Sequence, residues 1–488
     1  MEQDPVVLAI GVDFQRVEAA LVDTAGGGVI HREQAPVRPV ISAGTAYLEP
    51  AHLVGAVSQA ARRLVELKPR EARRVAGVSL IGRSHTACLV TREGARTPFV
   101  LSEDSRFAAA RDAAGIPYDE VYSKTGLTRE RCEVPFALAA AGSPRAAAKL
   151  LTPKDYVKWA LTGEFSTDPL DAQRTFVWDL AARQWDKELC RIFDIRMSCL
   201  PDVLPPTAEA GTITADGARI TGLKQGLPVA CGMGDWGEYL GSGAHVAGDA
   251  FEHIGSTGAF FAVTGRRPAD RLGLDARPHV TEGLYLVGRQ GLPGGACLEW
   301  LLRKTSFTRD GEIDWAQVEQ ELEAAAAMLR PEGILFFPNL TGGEGQVSNG
   351  AFMNLRMDDD LTGFIQAIVE GLFFTLKAVS EKVKPAGWLP KAVFTTGQIA
   401  FKHAPRRIRA NIYGVPIYAG RTPGANVMAA ALVGAVASGV YASIDQARAR
   451  MLSLDGGALP DRATQALYEA HFASWLGTRN FLAPDAHA

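Results

Sequence analysis

Strand-like and helix-like apolar patterns alternate along this chain, which restricts it to folds that combine sheets with helices. Nearly continuous apolar runs from Val6 to Val12 and from Val17 to Val22 predict two strands, joined by the tight turn Phe14-Gln15-Arg16. Helical patterning follows from Thr45 to Leu67, and another strand is predicted from Val75 to Leu80. Hairpins mixed with helical crossovers indicate an α/β protein rather than an all-parallel doubly wound sheet.

The length of the chain sets the number of domains. Its 488 residues exceed what one hydrophobic core usually supports, so we expect two large domains or more. Strand-like patterning restarts over Ala250 to Val263, which predicts a domain of residues 1–244 followed by one of residues 245–488. A ligand site is expected in the cleft between them, because such clefts are favoured positions for pockets.

The composition is that of a soluble globular protein with a small-molecule partner. Hydrophobic residues make up 47% and charged residues 22%, which argues against a disordered chain, a coiled coil or a fibre. Lys plus Arg total 51 against 54 Asp plus Glu, a net charge of −3, so the chain lacks the basic surface expected for nucleic acid or an anionic membrane.

The N-terminus, the apolar stretches and the cysteines indicate the cellular compartment of the protein. The start, MEQDPVVLAIGVDF, lacks the basic flank and the length of a signal peptide. No apolar stretch reaches the ~18 residues that a membrane span needs. We therefore expect a cytoplasmic protein with no membrane partner. Six scattered cysteines without CxxC pairs indicate neither a zinc site nor a disulfide framework.

A single acidic residue among glycines marks a candidate catalytic segment. Asp235 is flanked by Gly234 and, past Trp236, by Gly237, so little side-chain bulk would separate its carboxylate from a substrate. This arrangement suits a general base.

A second glycine-rich segment follows shortly after, made of Gly255, Ser256, Thr257 and Gly258. Its backbone N–H groups and two hydroxyls suit a phosphate. Together with a carboxylate that takes a hydroxyl proton, such a loop is the minimal equipment for phosphorylating an alcohol. The alternative is that both segments are ordinary surface turns.

Three longer motifs, in this order, extend the pattern over nearly the whole chain. They are the stretch from Leu151 to Trp185, with Thr-Asp-x-x-Asp-Ala at residues 167–172, GILFFPNLTGGEG at 333–345, and a long helix with Glu370-Gly371. In these motifs the chain resembles the FGGY family of carbohydrate kinases, of the actin, Hsp70 and sugar kinase superfamily. The resemblance implies two ribonuclease-H-like domains with an interdomain cleft.

The resemblance also implies roles for residues in the first domain. Asp235 matches the catalytic base, a role that suits a buried and unpaired carboxylate, with Trp236 beside the substrate. Ser84 and His85 match the position where xylulokinase-like members present Met-His to the sugar. His85 would otherwise be a structural residue.

A charged pair further along matches the Trp-x-Asp-x-Arg signature of the family, with Ser102 at the Trp position. In that signature the Asp, here Asp104, binds sugar hydroxyls and the Arg, here Arg106, supports the pocket. The alternative is an exposed charge pair at a helix start.

The nucleotide motifs depart from the family pattern. Family members carry Asp-x-Gly-Thr and a hydroxyl residue in the first hairpin, whereas Asp13-Phe14 here runs directly into Gln15-Arg16. Arg16 offers a compensating positive charge. Asp13 matches the carboxylate that helps to hold Mg²⁺, usually through water.

In the second domain the resemblance assigns ATP binding to Gly255, Ser256, Thr257 and Gly258. It adds Gly397, Gln398 and Phe401 from the segment KAVFTTGQIAFK. The segment from Ala419 to Gly439 resembles the helix that packs beneath adenine. ATP and Mg²⁺ are thus the implied cofactors.

Two hypotheses follow from these motifs. The first is an ATP-dependent kinase acting on a hydroxyl of a ketose such as xylulose, a polyol or a sugar acid. The second is a catalytically impaired kinase homologue that acts as a sugar-binding or regulatory protein, because its first hairpin is shortened. A homodimer is left open.

Overall fold

The computed structural model describes residues 4–95, 97–142, 148–268, 273–305, 307–309, 311–326, 333–340, 350–397, 402–421 and 424–482. Two compact units are formed. Unit 1 comprises residues 1–241, 275–282 and 422–453, and unit 2 comprises residues 242–274, 283–421 and 454–488. The chain therefore leaves unit 1 three times and returns to it twice, while the predicted division between residues 244 and 245 stays a prediction.

The strands are short outside two central sheets. In chain order they are β1 (Val6–Val12), β2 (Arg16–Asp23), β3 (Val29–Pro36), β4 (Val40–Ser42), β5 (Thr45–Leu48), β6 (Val75–Gly82), β7 (Cys88–Thr91), β8 (Gly94–Ala95), β9 (Phe99–Val100), β10 (Lys149–Leu151), β11 (Ser166–Thr167), β12 (Trp178–Asp179), β13 (Gln184–Trp185), β14 (Asp202–Val203), β15 (Glu209–Thr212), β16 (Pro228–Ala230), β17 (Met233–Gly234), β18 (Asp249–Ile254), β19 (Thr257–Thr264), β20 (Asp275–Pro278), β21 (Tyr285–Pro293), β22 (Thr308–Arg309), β23 (Glu312–Ile313), β24 (Leu335–Phe337), β25 (Ala351–Met353), β26 (Ala392–Thr396) and β27 (Ile417–Ala419).

The helices of the described residues are numbered in the same way. They are α1 (Pro50–Leu67), α2 (Pro69–Ala72), α3 (Ser105–Ala113), α4 (Tyr118–Thr125), α5 (Val134–Ala141), α6 (Pro153–Thr162), α7 (Pro169–Arg174), α8 (Lys187–Ile192), α9 (Ala215–Thr221), α10 (Glu238–Ser242), α11 (Gly295–Leu302), α12 (Trp315–Ala326), α13 (Leu361–Val383), α14 (His403–Tyr413), α15 (Ala425–Ala437), α16 (Ile444–Met451) and α17 (Arg462–Leu482).

The central sheet of unit 1 has the strand order β15-β16-β6-β1-β2-β3, and β17 also pairs with β6. Strand β1 is covered on both faces. Alternate residues such as Leu8 share a core cluster with Val57 of α1, while Val7 lies under Gly434 of α15. Because successive side chains of a strand point to opposite faces, both sets must be apolar, which explains the continuous run from Val6 to Val12.

The first hairpin forms as the sequence predicts. Strands β1 and β2 are antiparallel up to the pair Val12 and Val17, and Asp13 N–H donates to the carbonyl of Arg16 at 3.2 Å. The predicted strand from Val75 is β6. The predicted helix from Thr45 begins only at Pro50, because residues 45–48 pair with neighbouring strands as β5.

A buried ionic network lies beneath one end of this sheet. Lys154 Nζ donates to Asp155 Oδ1 at 2.5 Å and lies 3.2 Å from Asp168 Oδ1 and 3.3 Å from Asp171 Oδ2. Lys158 Nζ also donates to Asp155, at 2.9 Å. All five side chains are at most 1% exposed. Burial raises the pKa of Asp171 well above its usual range, which brings two lysines and three aspartates close to charge balance.

The sheet of unit 2 contains strands in the order β21-β19-β18-β26-β27. Strands β18 and β19 form a hairpin in which Ile254 pairs with Gly258, so Thr257 and Gly258 belong to a strand and only Gly255 and Ser256 form the turn. Strand β26 runs parallel to β18, with Thr396 opposite His253.

One helix of unit 2 is long and apolar enough to cross a membrane by length and composition. The segment Leu361–Ala386 includes α13, and 72% of its most apolar 18-residue window is buried. This helix corrects the expectation that no apolar stretch reaches the length of a membrane span. Side chains such as Ile368, Leu372 and Leu376 are almost fully buried, so the apolar character of α13 reflects its place in the core of unit 2.

Helices α13 and α17 share a buried polar cluster around Glu370. Gln366 Nε2 and Tyr468 Oη both donate to Glu370 Oε1, at 2.7 and 3.0 Å. His471 Nδ1 lies 3.4 Å from Glu370 Oε2. Burial raises the pKa of Glu370 to about 7 and lowers that of His471 to about 4. Both groups are therefore neutral between about pH 4 and 7, and in that range their contact is not an ion pair.

The Glu370 cluster predicts that stability falls as pH rises from about 4.5 to about 7 and stays lower above that pH. Folding raises the pKa of this carboxyl from 4.5 to about 7, so its contribution decreases as pH rises through that window, by at most about 3 kcal/mol. Glu370→Gln removes the titration. Between pH 7 and 8.5, thermal unfolding should show the variant melting above the native protein. Glu381→Gln, on the same helix, is the control, and equal melting temperatures for both variants would contradict the assignment.

The Lys154 network predicts a large effect of removing one cation. Lys154→Met leaves Asp168 and Asp171 buried without their lysine, which typically costs about 3–5 kcal/mol. The melting temperature should fall on the order of 10 °C, while Lys224→Met, at an exposed position of the same unit, should leave it nearly unchanged. A Lys154→Met protein as stable as the control would show that the network does not hold the fold.

Candidate active site

Three charged residues follow the carboxyl ends of three neighbouring parallel strands in unit 1. Val12 of β1 and Gly234 of β17 both lie opposite Gly82 of β6. The residue that follows each strand is Asp13 after β1, Arg83 after β6 and Asp235 after β17. Because β6 lies between the other two strands, Arg83 lies between the two aspartates. Carboxyl ends of parallel strands are the usual place for ligand sites in α/β folds.

The backbone before Asp235 is held by the buried ionic network. Gly234 N–H donates to Asp168 Oδ1 at 3.1 Å, and the lysines Lys154 and Lys158 donate to the carbonyl of Cys231 at 3.2 Å. A Cβ on Gly234 would lie 2.8 Å from oxygens of both Asp171 and Ser84. Glycine is thus needed at this position, because the backbone passes directly over the network.

The Asp235 carboxylate is paired with His85. His85 Nε2 lies 3.4 Å from Asp235 Oδ2, so the expectation of an unpaired carboxylate is wrong. Although burial raises the pKa of Asp235, its hydrogen bond with His85 and the nearby positive charges lower it to about 2. The side chain remains 23% exposed. Asp235 is therefore ionised and accessible at neutral pH.

His85 lies between two carboxylates. Its Nδ1 is 2.6 Å from Glu133 Oε2, and Arg174 Nη2 contacts the same glutamate oxygen. Burial lowers the pKa of His85, but the charge of Glu133 and the hydrogen bonds to Glu133 and Asp235 outweigh it and raise this pKa. The result is a line of alternating charge from Arg174 through Glu133 and His85 to Asp235.

Glu133 and Arg174 were missed by the sequence analysis. Arg174 comes two residues after the Thr-Asp-x-x-Asp-Ala pattern, which was a usable signal. Glu133 lies in no recognised motif, and its contact with His85 joins residues 48 positions apart. Such a contact has no local sequence signature.

Asp104 is buried at the start of α3, whereas its partner Arg106 is exposed. Asp104 is buried and caps α3, accepting hydrogen bonds from Arg106 N at 2.9 Å and from its Nε and Nη2 at 2.8 Å. Its Oδ2 also accepts from Ala46 N at 2.9 Å. These hydrogen bonds, with Arg106 first, hold the pKa of Asp104 well below its usual range. Both oxygens are thus engaged in joining β5 to α3.

The remaining predicted sugar contacts are Ser84, which precedes His85 in the chain, and Trp236, which follows Asp235. Ser84 is buried, and its hydroxyl contacts Asp171 in the ionic network. The guanidinium carbon of Arg277 lies 4.6 Å from the centre of the Trp236 ring, within the range of a cation–π contact.

The predicted nucleotide residues of unit 2 lie at two neighbouring strand ends. The turn at Gly255 and Ser256 follows β18, and Gly397 follows the parallel strand β26. Gly397 has φ +100°, and a Cβ there would lie 2.2 Å from the carbonyl oxygen of Ile254, so only glycine allows this approach. Gln398 and Phe401 lie outside the described residues.

Asp13 is already hydrogen-bonded on both oxygens. Gln15 N–H donates to Oδ1 and Arg83 Nε donates to Oδ2, each at 3.2 Å. No cluster of three or more His, Cys, Asp or Glu side chains suited to a metal occurs among the described residues. A single carboxylate fits Mg²⁺ held through water, as was expected for Asp13, because water leaves both hydrogen bonds in place.

Comparison with known proteins identifies the family. The FGGY family of carbohydrate kinases matches with its N-terminal domain at residues 6–237 and its C-terminal domain at residues 254–438. The xylulose kinase of Escherichia coli (strain K12) is 26% identical over 54% of this chain, and that match spans only about half of the relative, 54%. The erythritol kinase of Brucella abortus (strain 2308) is 25% identical over 99% of this chain and 97% of its own length.

A solved structure agrees with the fold. The xylulose kinase from Rhodospirillum rubrum superposes with a TM-score of 0.85 at 22% sequence identity, covering 99% of this chain and 100% of its own. The predicted α/β fold class of the sugar kinase type is thereby confirmed. With both family domains matched in order along the chain, the protein belongs to the FGGY family of carbohydrate kinases.

Proposed function

We propose that the protein transfers a phosphoryl group from ATP to a hydroxyl of a small sugar, with Asp235 as the general base. The observation that carries this proposal is the Asp235 carboxylate, ionised and partly exposed at the carboxyl end of β17. The substrate class is a ketose such as xylulose, a polyol or a sugar acid. The names of the relatives, xylulose kinase and erythritol kinase, support the first two.

The geometry suits a late proton transfer. A carboxylate with a pKa of about 2 is a weak base, so it accepts the hydroxyl proton only as the new P–O bond makes that proton acidic. His85 holds Oδ2 of Asp235, which fixes the orientation of the carboxylate toward the hydroxyl. Glu133 in turn holds His85 and favours its charged imidazole, while Arg174 holds Glu133. We assign these two residues a positioning role.

Binding of the ATP phosphates and ribose is assigned to residues of unit 2. The turn at Gly255 and Ser256, followed by Thr257 and Gly258, and the close approach at Gly397 offer backbone groups to phosphates and ribose. Mg²⁺ would be held by Asp13 through water, where it neutralises phosphate charge. We also propose that Gln398 and Phe401 contribute to ATP binding. We further propose that the protein is cytoplasmic and has no nucleic-acid or membrane partner.

The sugar-binding or regulatory alternative has one observation in its favour. The hairpin at Asp13 closes with a two-residue turn, Phe14-Gln15, that contains neither glycine nor a hydroxyl residue. A protein that had lost productive ATP binding would still bind sugar near His85 without turnover. Sugar-dependent release of ADP from Mg-ATP separates these two functions.

Replacing Asp235 should abolish transfer and retain sugar binding. The purified protein is assayed for ADP release from Mg-ATP with pentuloses, hexuloses, polyols and aldonates. We expect Asp235→Asn to lower turnover by on the order of 10³-fold or more on the active sugar, with little change in sugar affinity. Asp216→Asn, at a highly exposed position of the same unit, is the control. Sugar-dependent melting shifts without ADP release by the native protein would instead favour the sugar-binding function.

Replacing His85 should shift the pH profile rather than only the rate. Without the imidazolium, burial raises the pKa of Asp235 from about 2 toward or above its usual value of 3.8. The acid limb of kcat/KM should therefore move to higher pH in His85→Asn. His52→Gln, at an exposed position of α1, serves as the control. An unchanged acid limb in His85→Asn would show that His85 does not set the charge of Asp235.

A further inference from the structure

We propose that Arg83 is a further catalytic residue, whose guanidinium binds oxygens of the phosphoryl group during transfer. This inference rests on the proposed kinase function. It starts from the place of Arg83 directly after the central strand end, between Asp13 and Asp235. No motif in the sequence analysis had singled out this residue.

The first hairpin offers little to a phosphate by itself. Its turn contains no glycine or hydroxyl residue, and two of its N–H groups are used internally. Asp13 N–H donates to the Arg16 carbonyl, and Gln15 N–H donates to Asp13 Oδ1. A phosphoryl group at this edge of the sheet therefore needs a donor from a neighbouring strand.

Arg83 has donors to spare. Its Nε donates to Asp13 Oδ2 at 3.2 Å, and within the described residues this is the only hydrogen bond of its side chain. The side chain is 45% exposed. A guanidinium carries five N–H donors in a fixed fork, which matches two oxygens of one phosphoryl group. The two terminal nitrogens thus remain for a ligand.

Two neighbouring carboxylates favour the charged form of Arg83. Burial lowers the pKa of Arg83, but Asp235 and then Asp13 outweigh it and raise this pKa. A phosphoryl group approaching Asp13 and Asp235 would otherwise meet two carboxylates. The positive charge between them reduces that repulsion at the point where charge develops.

A structural role alone explains Arg83 poorly. The pair with Asp13 has both side chains more than 40% exposed, and such exposed ion pairs contribute little to stability. Arg16, which the sequence analysis considered as the compensating cation, lies at an exposed position at the start of β2. Arg83 follows β6, the strand flanked by β1 and β17.

The step balances without any added reactant. The oxygen of the sugar hydroxyl forms a bond to the γ-phosphorus as the bond to the ADP oxygen breaks. The hydroxyl proton passes to Asp235, and ADP leaves with the electron pair of the broken bond. Arg83 only donates hydrogen bonds and keeps its charge throughout.

Kinetics of Arg83 variants test the proposal on whichever sugar supports ADP release. Arg83→Gln should lower kcat by on the order of 10³-fold and change the KM of the sugar by less than about threefold, because the lost contact is made in the transition state. Arg83→Lys should recover part of kcat, since it restores charge but not the fork. Arg92→Gln, at an exposed position of the same unit, should behave as the native protein.

Two further readouts separate catalysis from structure. Guanidinium ion at tens of millimolar should raise the turnover of Arg83→Ala but not that of the native protein. The thermal stabilisation by ADP, aluminium fluoride and sugar together should be lost in Arg83→Gln, while that by sugar alone persists.

Three results would overturn the proposed role of Arg83. A kcat of Arg83→Gln within threefold of the native value overturns the role of Arg83 and leaves the kinase function standing. A raised sugar KM with unchanged kcat also overturns it, because Arg83 would then bind the sugar. If the native protein releases no ADP with any sugar, the kinase function and this inference both fail.

Discussion

The buried ionic network around Lys154 is the interaction on which the candidate site depends. It joins the start of α6 to α7, and it also holds the backbone at Cys231 and Gly234 just before Asp235. Two lysines and three aspartates without access to water are costly to bury unless every charge has a partner. The benefit of such a network is geometric, since its hydrogen bonds fix the position of the backbone before Asp235.

The site above this network is a row of charges ordered by strand register. Because β1, β6 and β17 are parallel and in register, Asp13, Arg83 and Asp235 emerge side by side. The line from Arg174 to His85 meets this row at Asp235. Burial alone would raise the pKa of Asp235, and the neighbouring cations reverse that effect. The proposed base is therefore ionised because of its neighbours, not because of exposure to water.

Local sequence patterns predicted the elements that depend on local interactions. The hairpin of β1 and β2 and the strand β6 were found because apolar runs and turn residues lie close together in the chain. Patterning failed at Thr45, where pairing of β5 with neighbouring strands overrode helical periodicity. The alternative of an exposed charge pair was wrong for Asp104, because four N–H donors hold this carboxylate in the interior.

By itself the sequence determined the α/β class, the family and the glycine-flanked Asp235, because these follow from residue type and order. Only the tertiary structure decided what surrounds that carboxylate. Glu133 reaches His85 across 48 residues of chain, and Arg83 reaches Asp13 across 70. Such contacts are set by strand register and helix packing rather than by spacing in the sequence. The charge and proton affinity of a buried group depend on these contacts, so no reading of residues along the chain can assign them.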